Sequence, residues 1–116
     1  MKPIKFDARM AAYIDLAVRL AEEEGAAAVV ILLSGPTDWD ELKSHAKDVS
    51  LILAADTAED LEGATAAGLS IVPLNMPESP VIEKLTQALL AAVAMDMLAP
   101  GAGVVVVYSG FEPAMI

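Results

Sequence analysis

Hydrophobic positions along the chain switch between two periods, and the switches divide it into alternating helices and strands. From Ala8 to Glu24, Met10, Tyr13, Ile14, Ala17, Leu20 and Ala21 recur at helical spacing, with Asp15, Arg19, Glu22 and Glu23 opposite. Asp7 is placed to cap that helix and Gly25 to end it. Ala28 to Leu33 is then a continuous apolar run, the pattern of a strand buried on both faces. Asp38 with Glu41 three residues on is a capping-box spacing that starts a short helix reaching about Lys47. Val49 to Ala54 reads as a second strand. Thr57 with Asp60 starts a short Ala-rich helix bracketed by Gly63 and Gly68. Leu69 to Leu74 is a third strand, pushed to a sheet edge by Pro73, which has no N–H to donate. After the turn residues Asn75-Met76-Pro77-Glu78, Ser79 caps and Pro80 opens a long helix that runs to about Leu98 and stops at Pro100-Gly101. Gly103 to Tyr108 is the last strand.

Strands alternating with helices through short connections imply βαβ units, right-handed crossovers and a mostly parallel sheet covered on both faces. The fold class expected is therefore α/β, a three-layer α/β/α domain. No internal repeat, low-complexity tract or linker interrupts it, so residues 1–116 are read as a single domain. At 56% hydrophobic residues, the 116-residue chain can fill one core.

Charge and cysteine content exclude several partners. Seven Lys and Arg against seventeen Asp and Glu leave a net charge of −10, which disfavours nucleic acid and anionic membranes as partners. The absence of cysteine removes disulfides and thiolate chemistry and suits a reducing, cytoplasmic location. The amino-terminal residues Met1 to Phe6 lack the apolar run of a signal peptide, and no segment has the length and apolarity of a membrane span, Ala88 to Leu98 coming nearest.

Two apolar strands leave by the same route. Val29-Val30-Ile31-Leu32-Leu33 runs into Ser34-Gly35-Pro36, and Val104-Val105-Val106-Val107-Tyr108 runs into Ser109-Gly110-Phe111. A small residue followed by glycine after a buried strand lets the backbone approach a ligand, so Ser34, Gly35, Thr37, Ser109 and Gly110 are the candidate ligand-binding residues. Structural turns are the reading favoured for the same residues, with a retained small-ligand site as the alternative. No catalytic residue, cofactor or metal ligand is assigned. Asp38, Asp40 and Glu41 are better explained by helix capping and the helix dipole than by a metal, and Asp56-Thr57 is read in the same way. His45, the single histidine, sits beside Lys43 and Lys47 and is expected to face solvent. Trp39 either stacks on a ligand or packs partly into the core. Ser34 and Ser109 have no histidine base in their sequence context, which makes a hydrolase a poor reading.

The order of these patterns resembles the C-terminal domain of pyruvate kinase. The resemblance rests on Gly25-Ala26-Ala27-Ala28-Val29-Val30-Ile31-Leu32-Leu33-Ser34-Gly35 and on Ala99-Pro100-Gly101-Ala102-Gly103-Val104-Val105-Val106-Val107-Tyr108-Ser109-Gly110. It implies a sheet with the first and fourth strands side by side and a fifth, antiparallel strand after the fourth, truncated at Ile116. Pyruvate kinases hold a phosphorylated sugar in the corresponding loops with basic residues; Asp38, Asp40 and Glu112 stand in the loops here. Gly35-Pro36-Thr37-Asp38-Trp39, Leu51-Ile52-Leu53-Ala54-Ala55-Asp56-Thr57 and Ser109-Gly110-Phe111-Glu112 also resemble the amino-terminal, pyruvate-kinase-like domain of two-domain diadenylate cyclases. The catalytic signatures of that family, Asp-Gly-Ala and Arg-His-Arg, are absent from these residues. The resemblance thus implies a non-catalytic regulatory or assembly module, with cyclic di-AMP synthesis in a domain beyond Ile116.

The long helix adds an assembly question. From Ala88 to Leu98 only Asp96 is polar, so the face turned away from the sheet needs either cover or tolerance of a weakly hydrophobic alanine surface. Ala91, Met95 and Asp96 mark the candidate interface, with a downstream catalytic domain or a second copy of this chain, as a homo-oligomer, as the expected cover. A stand-alone domain binding a small-molecule effector is the competing reading; an independent enzyme is disfavoured by the missing catalytic groups.

Overall fold

A computed structural model describes residues 6–33 and 35–108. The elements run α1 (Ala8–Glu24), β1 (Ala28–Leu32), α2 (Trp39–Ala46), β2 (Leu51–Ala55), a 3-10 turn (Glu59–Leu61), β3 (Ser70–Pro73), α3 (Val81–Ala94) and β4 (Val104–Tyr108). The four strands form one parallel sheet in the order β3-β2-β1-β4.

Alternation along the strands divides the core in two. Val29, Ile31, Leu51 and Leu53 face one side and pack with Ile14, Ala17, Val18 and Ala21 of α1 and Leu42 and Ala46 of α2. Val30, Leu32, Ile52, Ala54 and Val72 face the other and meet Ala88 and Ala92 of α3. The three-layer α/β/α expectation therefore holds. Pro73 lies at the outer edge of the sheet, as its missing donor requires. β1 and β4 are adjacent, paired from Ala28 with Val104 to Leu32 with Tyr108. The fifth strand expected after β4 lies outside the described residues.

The caps of the first two helices form as their residue types dictate. Asp7 Oδ1 accepts from the Met10 N–H at 2.9 Å, and Asp38 Oδ1 accepts from the Glu41 N–H at 3.1 Å. Gly25 ends α1 in the left-handed conformation, φ +66°.

Several expectations need correction. Tyr13 and Leu20 are exposed, at 50% and 45%, and Val18 takes their place in the core at 1%. The sheet covers only one stripe of α1, Ile14, Ala17, Val18 and Ala21, and apolar residues outside it stay in solvent. The Ala-rich stretch after Thr57 makes a 3-10 turn instead of an α-helix; Gly63 and Gly68, at φ +87° and +86°, take the chain out of helical backbone. Ser79 does not cap α3: Pro80 holds the cap position and no side chain bonds there. The helix also ends at Ala94 and not at Leu98. Asp96, at φ +61°, turns the chain back, the Met97 N–H donates to the Ala92 carbonyl, and Leu98 is buried against the sheet.

Lys47, which closes α2, has φ +56° and ψ −121°, a region that glycine tolerates and β-carbon-bearing residues avoid. Such a conformation costs on the order of 1–3 kcal/mol. Among the described residues no helix is long and apolar enough to cross a membrane.

Candidate functional site

In an open parallel sheet the connections leaving two neighbouring strands toward opposite sides open a crevice at their carboxyl ends. Here that position lies between β1 and β4, because β1 leads through α2 to one neighbour while β4 arrives on its other side. The pairing of Leu32 with Tyr108 brings the two strand exits together. Of the candidate ligand residues, Gly35 is buried and Thr37 half-buried beside this crevice. Ser34, Ser109 and Gly110 lie outside the described residues.

Among the described residues, Thr37 Oγ1 and Asp56 Oδ1 are buried at this end of the sheet without a hydrogen-bond partner. Asp56 directly follows β2, and its other oxygen, Oδ2, accepts from Lys84 Nζ of α3 at 3.0 Å. Both side chains are mostly withdrawn from solvent, with exposures of 15% for Lys84 and 26% for Asp56. The Asp56 carbonyl in turn accepts from the Asn75 N–H at 2.8 Å, tying the loop after β3 to the same corner. The unmet capacity is that of an acceptor at Asp56 Oδ1, and of a donor or acceptor at Thr37 Oγ1. Lys84 is committed to Asp56, and Asp38, Asp40, Glu59 and Asp60 follow β1 and β2 at this end. Their charge favours a ligand that donates hydrogen bonds through hydroxyl or amino groups over one that brings a phosphate.

The sequence places Asp56-Thr57 as a capping unit before Asp60. Thr57 does behave so, its Oγ1 accepting from the Asp60 N–H at 3.3 Å, but Asp56 turns away to Lys84. The signal for that pair was weak: the two residues are 28 apart, and only the placement of α3 against the sheet joins them. His45 also departs from expectation. Instead of facing solvent alone, it sets Nδ1 2.7 Å from Asp15 Oδ1 and packs its ring near Phe6, with centroids 5.3 Å apart. Trp39 packs in the core at 8% exposure, and its indole N–H donates to the Glu62 carbonyl at 2.6 Å. It is a structural residue and not a ligand platform.

Compared with known families, residues 9–115 match the family model described as probable sensor domain DacZ_P. The chain belongs to that family. No curated protein matches it at a significant level. The matched span contains every described strand, so the crevice between β1 and β4 lies inside the DacZ_P domain. Membership makes this a domain associated with a diadenylate cyclase and supports a regulatory, non-catalytic role.

The candidate interface residues of the DacZ_P domain are less uniform than their spacing suggested. Ala91 is half-buried against the α3 side of the core, Met95 is the residue that closes α3 and is 54% exposed, and Asp96 is exposed just beyond it. Ile82 and Leu90, which the sequence did not single out, are more open, at 73% and 61%.

The Lys84 and Asp56 pair is directly testable. Lys84→Met should cost about 1–2 kcal/mol in urea unfolding, between the values for exposed and fully buried ion pairs. Asp56→Asn in the Lys84→Met background should restore part of the loss, because it removes the carboxylate left without its cation. Equal stability of all three proteins would show that the pair contributes nothing.

Proposed function

We propose that this chain is the non-catalytic sensor module of a diadenylate cyclase, and that cyclic di-AMP synthesis is carried by a catalytic domain outside these residues. The observation that carries the reading is the match of residues 9–115 to the DacZ_P family. The order β3-β2-β1-β4 supports a likeness to the pyruvate kinase C-terminal domain, which we include in the proposal. The sensing site in this proposal is the crevice at the carboxyl ends of β1 and β4, beside Gly35 and Thr37, with Asp56 following the neighbouring β2 at the same end of the sheet; the sequence candidates Ser34, Ser109 and Gly110 are kept in the proposal. Its effector is a small molecule rich in hydrogen-bond donors, which would satisfy Thr37 Oγ1 and Asp56 Oδ1. Nucleic acid and membrane surfaces are not among the proposed partners, given the net charge of −10.

The test compares the isolated 116-residue chain with the product of the whole reading frame that contains it, each incubated with ATP. Cyclic di-AMP is expected from the whole product and not from the isolated chain. Synthesis by the isolated chain, or a reading frame whose product makes no cyclic di-AMP, would overturn the proposal. The second reading, a stand-alone effector-binding domain, is favoured by the two unpartnered oxygens. It predicts that the isolated chain is stabilised in a thermal shift screen of polyols, nucleosides and amines, and that Gly35→Asp abolishes the response.

A further inference from the structure

The amino-terminal end of the sheet carries the opposite charge chemistry from the sensing crevice. A cavity of about 200 Å³ opens there between the end of α2 and the starts of β2 and β3. Lys43 and Lys47, two of the chain's seven Lys and Arg residues, stand on its wall with the hydroxyl-bearing Ser50 and Ser70, and Gly68 completes it. Lys43 Nζ donates to the Ala67 carbonyl at 2.9 Å, which holds the ammonium over Gly68; a β-carbon at Gly68 would come within 3.2 Å of that nitrogen. An ammonium has three N–H donors, so Lys43 retains donors for a ligand. Lys47 occupies its place on the wall in the strained backbone conformation described above, with φ +56°. Among the described residues no carboxylate lines the cavity.

We propose that this cavity binds the dianionic phosphoryl group of a small ligand, with Lys43 and Lys47 supplying the charge and Ser50 and Ser70 the neutral donors. Two point charges beside two hydroxyls suit a tetrahedral anion approached from one side. In a chain of net charge −10, a local pair of cations also offers an anion less repulsion than the carboxylate-lined end of the sheet. The site is separate from the proposed sensing crevice, since it lies at the opposite end of β2 from Asp56, and it stands whether or not that proposal does.

Amide NMR titrations of the 116-residue chain with inorganic phosphate, AMP and adenosine, at ionic strength held constant with NaCl, test it. Phosphate and AMP should give saturating shifts at the Ser50, Gly68 and Ser70 amides, and adenosine none there. Lys43→Gln and Lys47→Gly should each weaken binding at least tenfold. Lys47→Gly should do so while its melting temperature stays level or rises, because glycine relieves the strained backbone; lost binding in that variant is therefore not lost folding. Shifts that fail to saturate, that NaCl alone reproduces, or that survive both substitutions would overturn the proposal. So would phosphate-dependent shifts confined to Gly35 and Thr37, which would place the anion at the sensing crevice instead.

Discussion

Trp39→Ala should lower the stability of the domain by about 3–5 kcal/mol, the usual cost of removing a buried aromatic side chain. Trp39 is 8% exposed and lies in the same cluster as Ile14, Leu42 and Leu61, so it joins α1, α2 and the turn after β2. Its indole N–H also fixes the Glu62 carbonyl, and its ring lies against Gly63, where a β-carbon would approach to 3.2 Å. Removing the ring releases the 3-10 turn and opens a cavity at the start of α2. Against the roughly 5–15 kcal/mol typical of a domain, the loss is a large fraction, and the melting temperature should fall by on the order of 15–25 °C. Trp39→Phe keeps the packing and loses the hydrogen bond, so it should cost only about 1–2 kcal/mol. Urea unfolding followed by far-UV circular dichroism measures both, since these variants lack the chain's one tryptophan as a fluorescent probe. A loss below about 1 kcal/mol for Trp39→Ala would contradict the packed position and reopen a ligand-stacking role.

The second large effect lies on the opposite face of the sheet. Ala92→Asp should destabilise by at least about 3–5 kcal/mol, the range found when a buried charge is left without its partner. α3 meets the sheet through Ala88 and Ala92, both fully buried, and their small size permits close approach to Val30, Ile52 and Val72. A carboxylate at Ala92 would be pressed into a cluster of aliphatic side chains with no cation among them. Either the whole domain unfolds or α3 leaves the sheet. Hydrogen exchange separates the two: loss of protection confined to α3 reports undocking, and loss throughout β1 and β2 reports global unfolding. Leu90→Asp, on the same helix at 61% exposure, should change stability by no more than about 0.5 kcal/mol. A large loss there would mean that Leu90 is covered, and sedimentation of the two proteins would then show self-association in the parent chain alone.

Much of the fold was legible because its signals are local. The bounds of α1 follow from Asp7 and Gly25, and the edge position of β3 follows from Pro73. The misreadings share a different cause. The exposure of Tyr13 and Leu20 depends on which stripe of α1 the sheet covers, and the missing helix after Thr57 depends on two glycines at positive φ, Gly63 beside Trp39 and Gly68 beside Lys43. The early end of α3 depends on Asp96 turning the chain so that Leu98 can be buried. Of the candidate site, the sequence indicated the strand exits and Thr37. It could not indicate that Thr37 Oγ1 and Asp56 Oδ1 are unpartnered, or that Lys84 lies against Asp56.

By itself, then, the sequence determined an alternating α/β domain, its strand exits with their glycines, its acidic balance and its membership of the DacZ_P family. Periodicity, capping and charge operate over a few residues or over the sum of all of them, and both are visible in one dimension. Only the tertiary structure decided that Thr37 and Asp56 each bury an oxygen at the carboxyl end of the sheet while Lys43 and Lys47 line a cavity at the other end. Those groupings join residues 20 or more positions apart through the docking of helices on the sheet, a consequence of packing that no local spacing encodes.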